Sequence, residues 1–117
     1  MKAGQLYNAM DVAIEHEPVD ADALISGTPT TGYTDLGTTA DGAEVGVWEI
    51  TPGVVSDIEE EEIFIVLSGR ATVAFANGQD PIEVRAGSVV RLAAGMSTTW
   101  TVHETVRKVY VIPPAGD

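Results

Sequence analysis

Residues 57–69 read DIEEEEIFIVLSG, and this stretch indicates both the fold class and the main question about function. Four consecutive glutamates directly precede the apolar run IFIVL at 63–67. A short apolar run bounded by turn residues predicts a buried strand. Because IFIVL has no polar face, we expect it to be covered on both sides. A carboxylate next to such a strand needs a cation, a metal ion or hydrogen bonds, since burial otherwise neutralises it.

The chain from residue 43 onward alternates short apolar runs with turn residues at intervals of roughly 8–12 residues, which predicts an all-β sandwich or barrel. Asn77-Gly78 is the best hairpin signal in the chain. A short helix between Met10 and Leu24 is a weak prediction, because Pro18 interrupts it. The predicted strands are Glu44–Thr51, Ile63–Leu67, Ala71–Phe75, Ile82–Arg85, Val89–Leu92, Thr98–His103 and Val106–Ile112.

Length and composition limit the class of protein. The chain has 117 residues, which suits one domain, with an N-terminal arm and first strands at 1–40 and the barrel at 43–113. Its net charge of −12 predicts that neither nucleic acid nor an anionic membrane is a partner. There is no cysteine, which excludes disulfides and thiolate metal sites. The first residues lack the apolar core of a signal peptide, so we expect a cytoplasmic protein.

The four glutamates separate by strand parity. If residues 59–62 are extended, Glu60 and Glu62 share one face, and Glu59 and Glu61 share the other. We expect Glu59 and Glu61 to be solvated charges that protect the strand from edge pairing. Glu62 is set apart by its spacing to Gly69, because that spacing belongs to a known family pattern.

From Glu44 to Ile112 the chain resembles the cupin superfamily. It is most similar to the small branch that contains the cupin domain of (S)-ureidoglycine aminohydrolase and the ethanolamine-utilisation-type cupins. The matching stretches are GVWEITPG (46–53), EEIFIVLSGRATV (61–73), AGSVVRLAAG (86–95) and TWTVHETVRKVYVIP (99–113). The resemblance implies the all-β cupin double-stranded β-helix, a small jelly-roll-like barrel that is commonly a homodimer. Such barrels hold a small molecule or a metal ion in the mouth between their sheets.

The first cupin metal motif retains one ligand position here. Six residues separate Glu62 from Gly69, which places Glu62 at the glutamate of that motif. With a three-residue gap, the two histidine positions fall on Ser56 and Ile58; with a four-residue gap, they fall on Val55 and Asp57. We favour Ser56 and Ile58, because they would then share a strand face with Glu62.

The second cupin motif matches at Gly87 and Gly95, but Thr98 stands at its histidine. Without imidazole, these ligand positions would bind Mn, Fe, Ni or Zn poorly, so we expect no transition metal and no other cofactor. An all-oxygen site that recruits Asp57 or Glu60 would instead suit Mg or Ca.

Several further residues are candidates for the pocket. Trp100 shares a face with Thr98 and would wall the barrel mouth, although core packing explains it equally well. Lys108 and Tyr110 share a face on the last predicted strand. Lys108 would pair with Glu62 or Glu60 inside the barrel, or with Glu49 or Glu104 nearby. His103 is expected at the surface and His16 in solvent, so no histidine-activated nucleophile is supported.

Three hypotheses for function follow from these residues. The first is a cupin that binds a small molecule without a transition metal, in a pocket formed by Glu62, Glu60, Ser56, Ile58, Thr98, Trp100, Lys108 and Tyr110. The second is a metal-dependent enzyme acting on C–N bonds of a small ureido or amine compound, as the aminohydrolase branch implies. The third is a structural homodimer whose barrel mouth is filled by side chains. The sequence leaves open whether the protein is an enzyme.

Overall fold

A computed structural model describes residues 1–115 and contains nine strands. None of the described residues forms a helix long and apolar enough to cross a membrane. The weakly predicted helix between Met10 and Leu24 is wrong, because this segment contains two short strands and turns. The strands are β1 (Glu17–Pro18), β2 (Leu24–Ser26), β3 (Thr30–Thr38), β4 (Glu44–Ile50), β5 (Gly53–Ile58), β6 (Glu62–Phe75), β7 (Ile82–Arg85), β8 (Val89–Leu92) and β9 (Ser97–Ile112).

Two long strands, β6 and β9, connect the two halves of the barrel. The first half of β9 pairs with β5 and with the end of β6, while its second half pairs with β4 and with the start of β6. Strands β7 and β8 extend the β6 side, and β3 and β1 extend the β4 side. Every pairing is antiparallel, and the result is an all-β curled sheet that closes around one core.

The two long strands differ from the sequence prediction, which divided each of them in two. In β6 the predicted break at Ser68-Gly69 is a bend with shifts in register, not the end of the strand. Gly69 has φ +90°, and a Cβ there would overlap the backbone of Thr105 on β9. Glycine is therefore required where the two strands cross closely, and the bend directs both halves of each strand toward one core.

The buried core lies on the inner face of these strands and includes Phe64, Val66, Val73, Trp100 and Val102. The outer face of the IFIVL run is only partly covered, since Ile63 is 45% exposed. The expectation of cover on both sides is therefore wrong. Strand β6 lies in an antiparallel sheet with a single inner face, and such a sheet leaves its other face open.

The N-terminal arm, residues 1–16, is fixed to the outer face of β4 and β9 by one charged cluster. The Arg107 guanidinium donates to Glu49 at 2.9 Å and to the backbone carbonyls of Ala9 and Val12, each at 2.8 Å. His16 lies 2.6 Å from Glu49 and is half-buried, so the expectation of a solvated histidine is wrong. Burial alone would raise the pKa of Glu49, but the hydrogen bonds and charges of Arg107 and His16 outweigh it and lower that pKa.

Candidate functional site

A cavity of about 580 Å³ opens at the barrel mouth. Residues of β4, β5, β6 and β9 line it, together with the N-terminal segment around β1. Part of its wall is apolar and includes Val19, Ile50 and Val55. Its polar wall is strongly acidic. The acidic residues that line it are Glu17, Asp20, Glu44, Asp57, Glu59, Glu60 and Glu62, and the basic residue is Lys108.

Lys108 lies at the base of this cavity and forms a buried ion pair. Its Nζ donates to Glu62 Oε1 at 2.9 Å, and both side chains are almost fully buried. The same ammonium lies 4.5 Å from the ring centre of Trp48, 4.0 Å from that of Phe64 and 5.1 Å from that of Trp100. Three aromatic faces and one carboxylate therefore surround the charge, which is the setting that keeps a desolvated ammonium stable.

Glu59 is the second buried carboxylate of the cavity, with 8% of its surface exposed. Thr98 Oγ1 donates to Glu59 Oε2 at 2.5 Å, and Trp100 Nε1 donates to the same oxygen at 3.2 Å. The expectation that Glu59 is solvated is wrong. Residues 59–61 lie between β5 and β6 rather than in an extended strand, so Glu59 continues the inward face of β5, while the inward face of β6 begins at Glu62.

Asp57 lines the same cavity two residues before Glu59, and the two carboxyls form an acidic pair on its wall. More than a third of the Asp57 surface is open to solvent, yet desolvation at the cavity wall raises the pKa of its carboxyl. Desolvation also raises the pKa of Glu59, and the negative charge of Asp57 adds to the rise against the hydrogen bonds from Thr98 and Trp100. Because both carboxyls lie on one partly desolvated wall, placing a second negative charge there is costly without a cation.

The favoured alignment of the first metal motif, which put Ser56 and Ile58 on the same strand face as Glu62, is wrong. Ile58 is 65% exposed at the cavity rim, whereas Val55 is buried opposite Trp100 on β9. The inward residues of β5 are therefore Val55 and Asp57, those of the four-residue spacing. Ser56 also lines the cavity, and its backbone N–H donates to the carbonyl of Ala23 at 2.8 Å.

The remaining candidates lie at the edges of the site. Glu60 is exposed at the cavity rim. Tyr110 is a buried wall residue, and desolvation, with weaker effects from nearby acidic groups, raises its pKa to about 12. As expected, Glu61 lies outside, where it binds the exposed Arg91, and His103 is exposed, beside Thr72.

The structure thus brings Glu62, Trp100, Lys108 and Tyr110 together in the cavity wall, whereas the buried Thr98 is bonded to Glu59. Sequence reasoning placed Glu59 in solvent, and it named Asp57 only as an alternative metal-ligand position and not as part of the predicted pocket. Side chains alternate between the two faces of a strand, so Val55, Asp57 and Glu59 would share the inward face if β5 continued to residue 59. Counting every second residue from Val55 would therefore have found both carboxylates.

The cavity residues do not fit a transition metal. The carboxylate of Glu62 is engaged by Lys108, and the hydroxyl of Thr98 is engaged by Glu59. Within residues 1–115, no group of three or more His, Cys, Asp or Glu side chains has the arrangement of a metal site. An ammonium next to the one remaining ligand would repel a divalent cation.

Comparison with known proteins gives one family and many related folds. The model of the EutQ-like cupin domain matches residues 38–110. The structure of the Clostridium difficile EutQ protein superposes with a TM-score of 0.63 at 19% identity, over 74% of this chain and 64% of that one. A putative ethanolamine utilization protein Q from Salmonella typhimurium LT2 superposes with a TM-score of 0.61 at 21% identity, over 89% and 98%.

A protein of unknown function from Pseudomonas syringae pv. tomato str. DC3000 gives a TM-score of 0.69 at 28% identity, over 86% of this chain and 44% of that one. This chain therefore spans less than two thirds of the length of the Clostridium protein and less than half of the Pseudomonas protein. No curated protein matches the chain. The likenesses at 19% and 21% identity show the shared fold and nothing further about activity.

Proposed function

This chain belongs to the family of EutQ-like cupin domains, and from that premise we propose that it binds a small organic molecule in the barrel mouth without a transition metal. The observation that supports this most strongly is the position of Lys108. Its ammonium lies 2.9 Å from Glu62, on the carboxylate that the cupin pattern would give to a metal ion. A fixed cation of the protein thus takes the role of the metal in balancing that carboxylate.

The dimensions of the cavity support a small-molecule ligand. Its volume of about 580 Å³ lies within the range of ligand pockets, roughly 300–1,000 Å³. Apolar wall residues such as Val55 and Ile50 stand opposite a few convergent polar groups, which is the usual composition of such a pocket.

The two other hypotheses are less well supported. A metal-dependent enzyme of the aminohydrolase kind needs imidazole ligands, and neither the inward positions of β5, Val55 and Asp57, nor Thr98 supplies one. A barrel plugged by its own side chains predicts no cavity of ligand size, in contrast to the volume described above.

The proposal is tested by measuring ligand-induced stabilisation. A library of small metabolites should contain compounds that raise the melting temperature, by mass action on the folded state. The variant Ser56→Leu adds volume at the cavity wall and should abolish the shift. Its control, Ala86→Leu, adds the same volume in an exposed turn away from the cavity and should keep it. If no compound stabilises the wild type, or if Ser56→Leu responds like wild type, small-molecule binding in this cavity is refuted.

We also propose that the chain forms a homodimer through the outer face of β6 and β8. Ile63 is 45% exposed and Val89 is 68% exposed on this face, where Val89 pairs with Ile65. An exposed apolar face in a chain of net charge −12 is a candidate for burial against a second copy. Light scattering should give a dimer for wild type and for the control Ile25→Glu, and a monomer for Val89→Glu. A monomeric wild type would refute the pairing.

A further inference from the structure

The charges in the cavity point to the class of ligand, and this inference rests on the proposed small-molecule site. Seven acidic side chains and one basic side chain line the cavity among the described residues. The single ammonium, that of Lys108, is engaged by Glu62. A phosphate or carboxylate ligand would therefore enter a negative field with no free cation to bind it.

The pair formed by Asp57 and Glu59 is the part of the wall that still needs positive charge. Thr98 and Trp100 supply two hydrogen bonds to Glu59, but both donors are neutral and both bonds end on Oε2. Oε1 is the oxygen left for Asp57 or for a ligand. Glu59 is 8% exposed and lies with Asp57 on one wall of the cavity, so two negative charges at this place need a cation to balance them.

The shape of the site favours an organic cation over a metal ion. A metal would need several oxygen or imidazole ligands in a fixed geometry, and the described residues do not form such a group. A primary ammonium needs only two or three acceptors and tolerates apolar surroundings for its carbon chain. Val55 and Ile50 line the same cavity and offer that apolar surface.

We propose that the cavity binds a small aliphatic amine as its ammonium ion, with the ammonium between Asp57 and Glu59 and the carbon chain against the apolar wall. A proton bound to either carboxyl leaves to solvent when the ammonium arrives, so one positive charge replaces another.

The proton release makes binding depend on pH. Desolvation raises the pKa of both carboxyls in the free protein, so amine and proton compete. The other charged groups that line the cavity with the pair are Lys108 on β9, Glu62 on β6, Glu60 beside it, Glu44 on β4, and Glu17 and Asp20 on the N-terminal side. Affinity should fall as pH is lowered through the raised pKa values, by up to about tenfold per unit for one released proton.

The test uses three matched ligand series measured by calorimetry on the full chain. These are ω-amino alcohols of three to six carbons, diols of the same lengths, and ω-hydroxycarboxylates of the same lengths. At least one amino alcohol should bind about tenfold or more tighter than its diol, and the carboxylates should not bind. Titrations in buffers of different ionisation enthalpy should detect proton release.

Matched variants locate the site. Asp57→Asn and Glu59→Gln should lose the preference for the amine, while Glu61→Gln, an exposed neighbour bound to Arg91, should keep it. Diols or carboxylates that bind as tightly as the amines would overturn the cationic ligand and leave the small-molecule site intact. If the library gives a ligand in the cavity but no amine binds, the ligand class is also overturned. If no compound of any kind binds, both proposals fall.

Discussion

Replacing Lys108 with Met tests the buried ion pair directly. The change removes the ammonium but keeps an unbranched apolar chain between the rings of Trp48 and Phe64. It leaves Glu62 almost fully buried and without the cation 2.9 Å away. Removing one partner of a buried pair costs about 3–5 kcal/mol, because the other charge stays uncompensated. We therefore expect Lys108→Met to lower the free energy of unfolding by about that amount.

The opposite truncation should cost less. In Glu62→Gln the ammonium keeps its three aromatic faces, and cation–π contacts offset up to ~2 kcal/mol, so a loss of about 1–3 kcal/mol is expected. The double variant Lys108→Met/Glu62→Leu removes both charges and should return close to wild type, since apolar replacements of buried pairs are often neutral.

Urea unfolding, followed by tryptophan fluorescence, measures these differences, and the chain contains its own control. Arg91 and Glu61 form an exposed pair with a 2.6 Å contact, one residue along the chain from Glu62. Solvent screens that pair, so Arg91→Met should leave the urea midpoint nearly unchanged. If Lys108→Met shifts the midpoint no more than Arg91→Met, or if the double variant is as unstable as the single variants, the reasoning about the buried pair is refuted.

Three further predictions concern the residues around the site. Burial raises the pKa of Glu59 and of Asp57, so above about pH 4 the folded state binds protons that the unfolded chain has lost. The free energy of unfolding should therefore fall as pH rises through the raised pKa values. A double variant Glu59→Gln/Asp57→Asn should flatten that dependence in urea unfolding, and an unchanged slope would contradict it. Arg107→Ala should expose the N-terminal arm to limited proteolysis while the barrel persists; an arm as resistant as in wild type would contradict its tethering role. Gly46→Ala would place a Cβ on the hydroxyl of Tyr110 and should cost about 1–3 kcal/mol in thermal or urea unfolding, whereas a neutral effect would refute the close approach.

Much of the fold could be predicted from periodicity and turn residues. Strands β7 and β8 match the predicted bounds, and β4 differs by one residue. The predicted break inside β6 is a bend, because Gly69 with its positive φ turns the strand without ending it. Strand β9 contains no glycine, and its predicted break at 104–105 lies opposite the register shifts of that bend. Strand β5 was not predicted, because it is short and polar at its end and is held by pairing with β9 and β2.

The site was predicted in part for a similar reason. Spacing to Gly69 identified Glu62, and parity on the last strand identified Lys108 and Tyr110. Glu59 points inward because β5 ends at Ile58 and β6 begins only at Glu62. Four identical glutamates give no local signal of where one strand ends and the next begins. Sequence parity alone assigned the run as one strand and so placed Glu59 in solvent.

The metal content of the cavity tests most directly whether Lys108 takes the place of a metal ion beside Glu62. Wild type and Glu62→Gln are equilibrated with Mn²⁺ and Zn²⁺ in separate dialyses, and the bound ion per chain is measured by mass spectrometry of the elements. With the ammonium of Lys108 on Glu62, we expect both proteins to bind far less than one ion per chain. One tightly bound ion per wild-type chain, lost in Glu62→Gln, would contradict a site in which lysine takes the place of the metal.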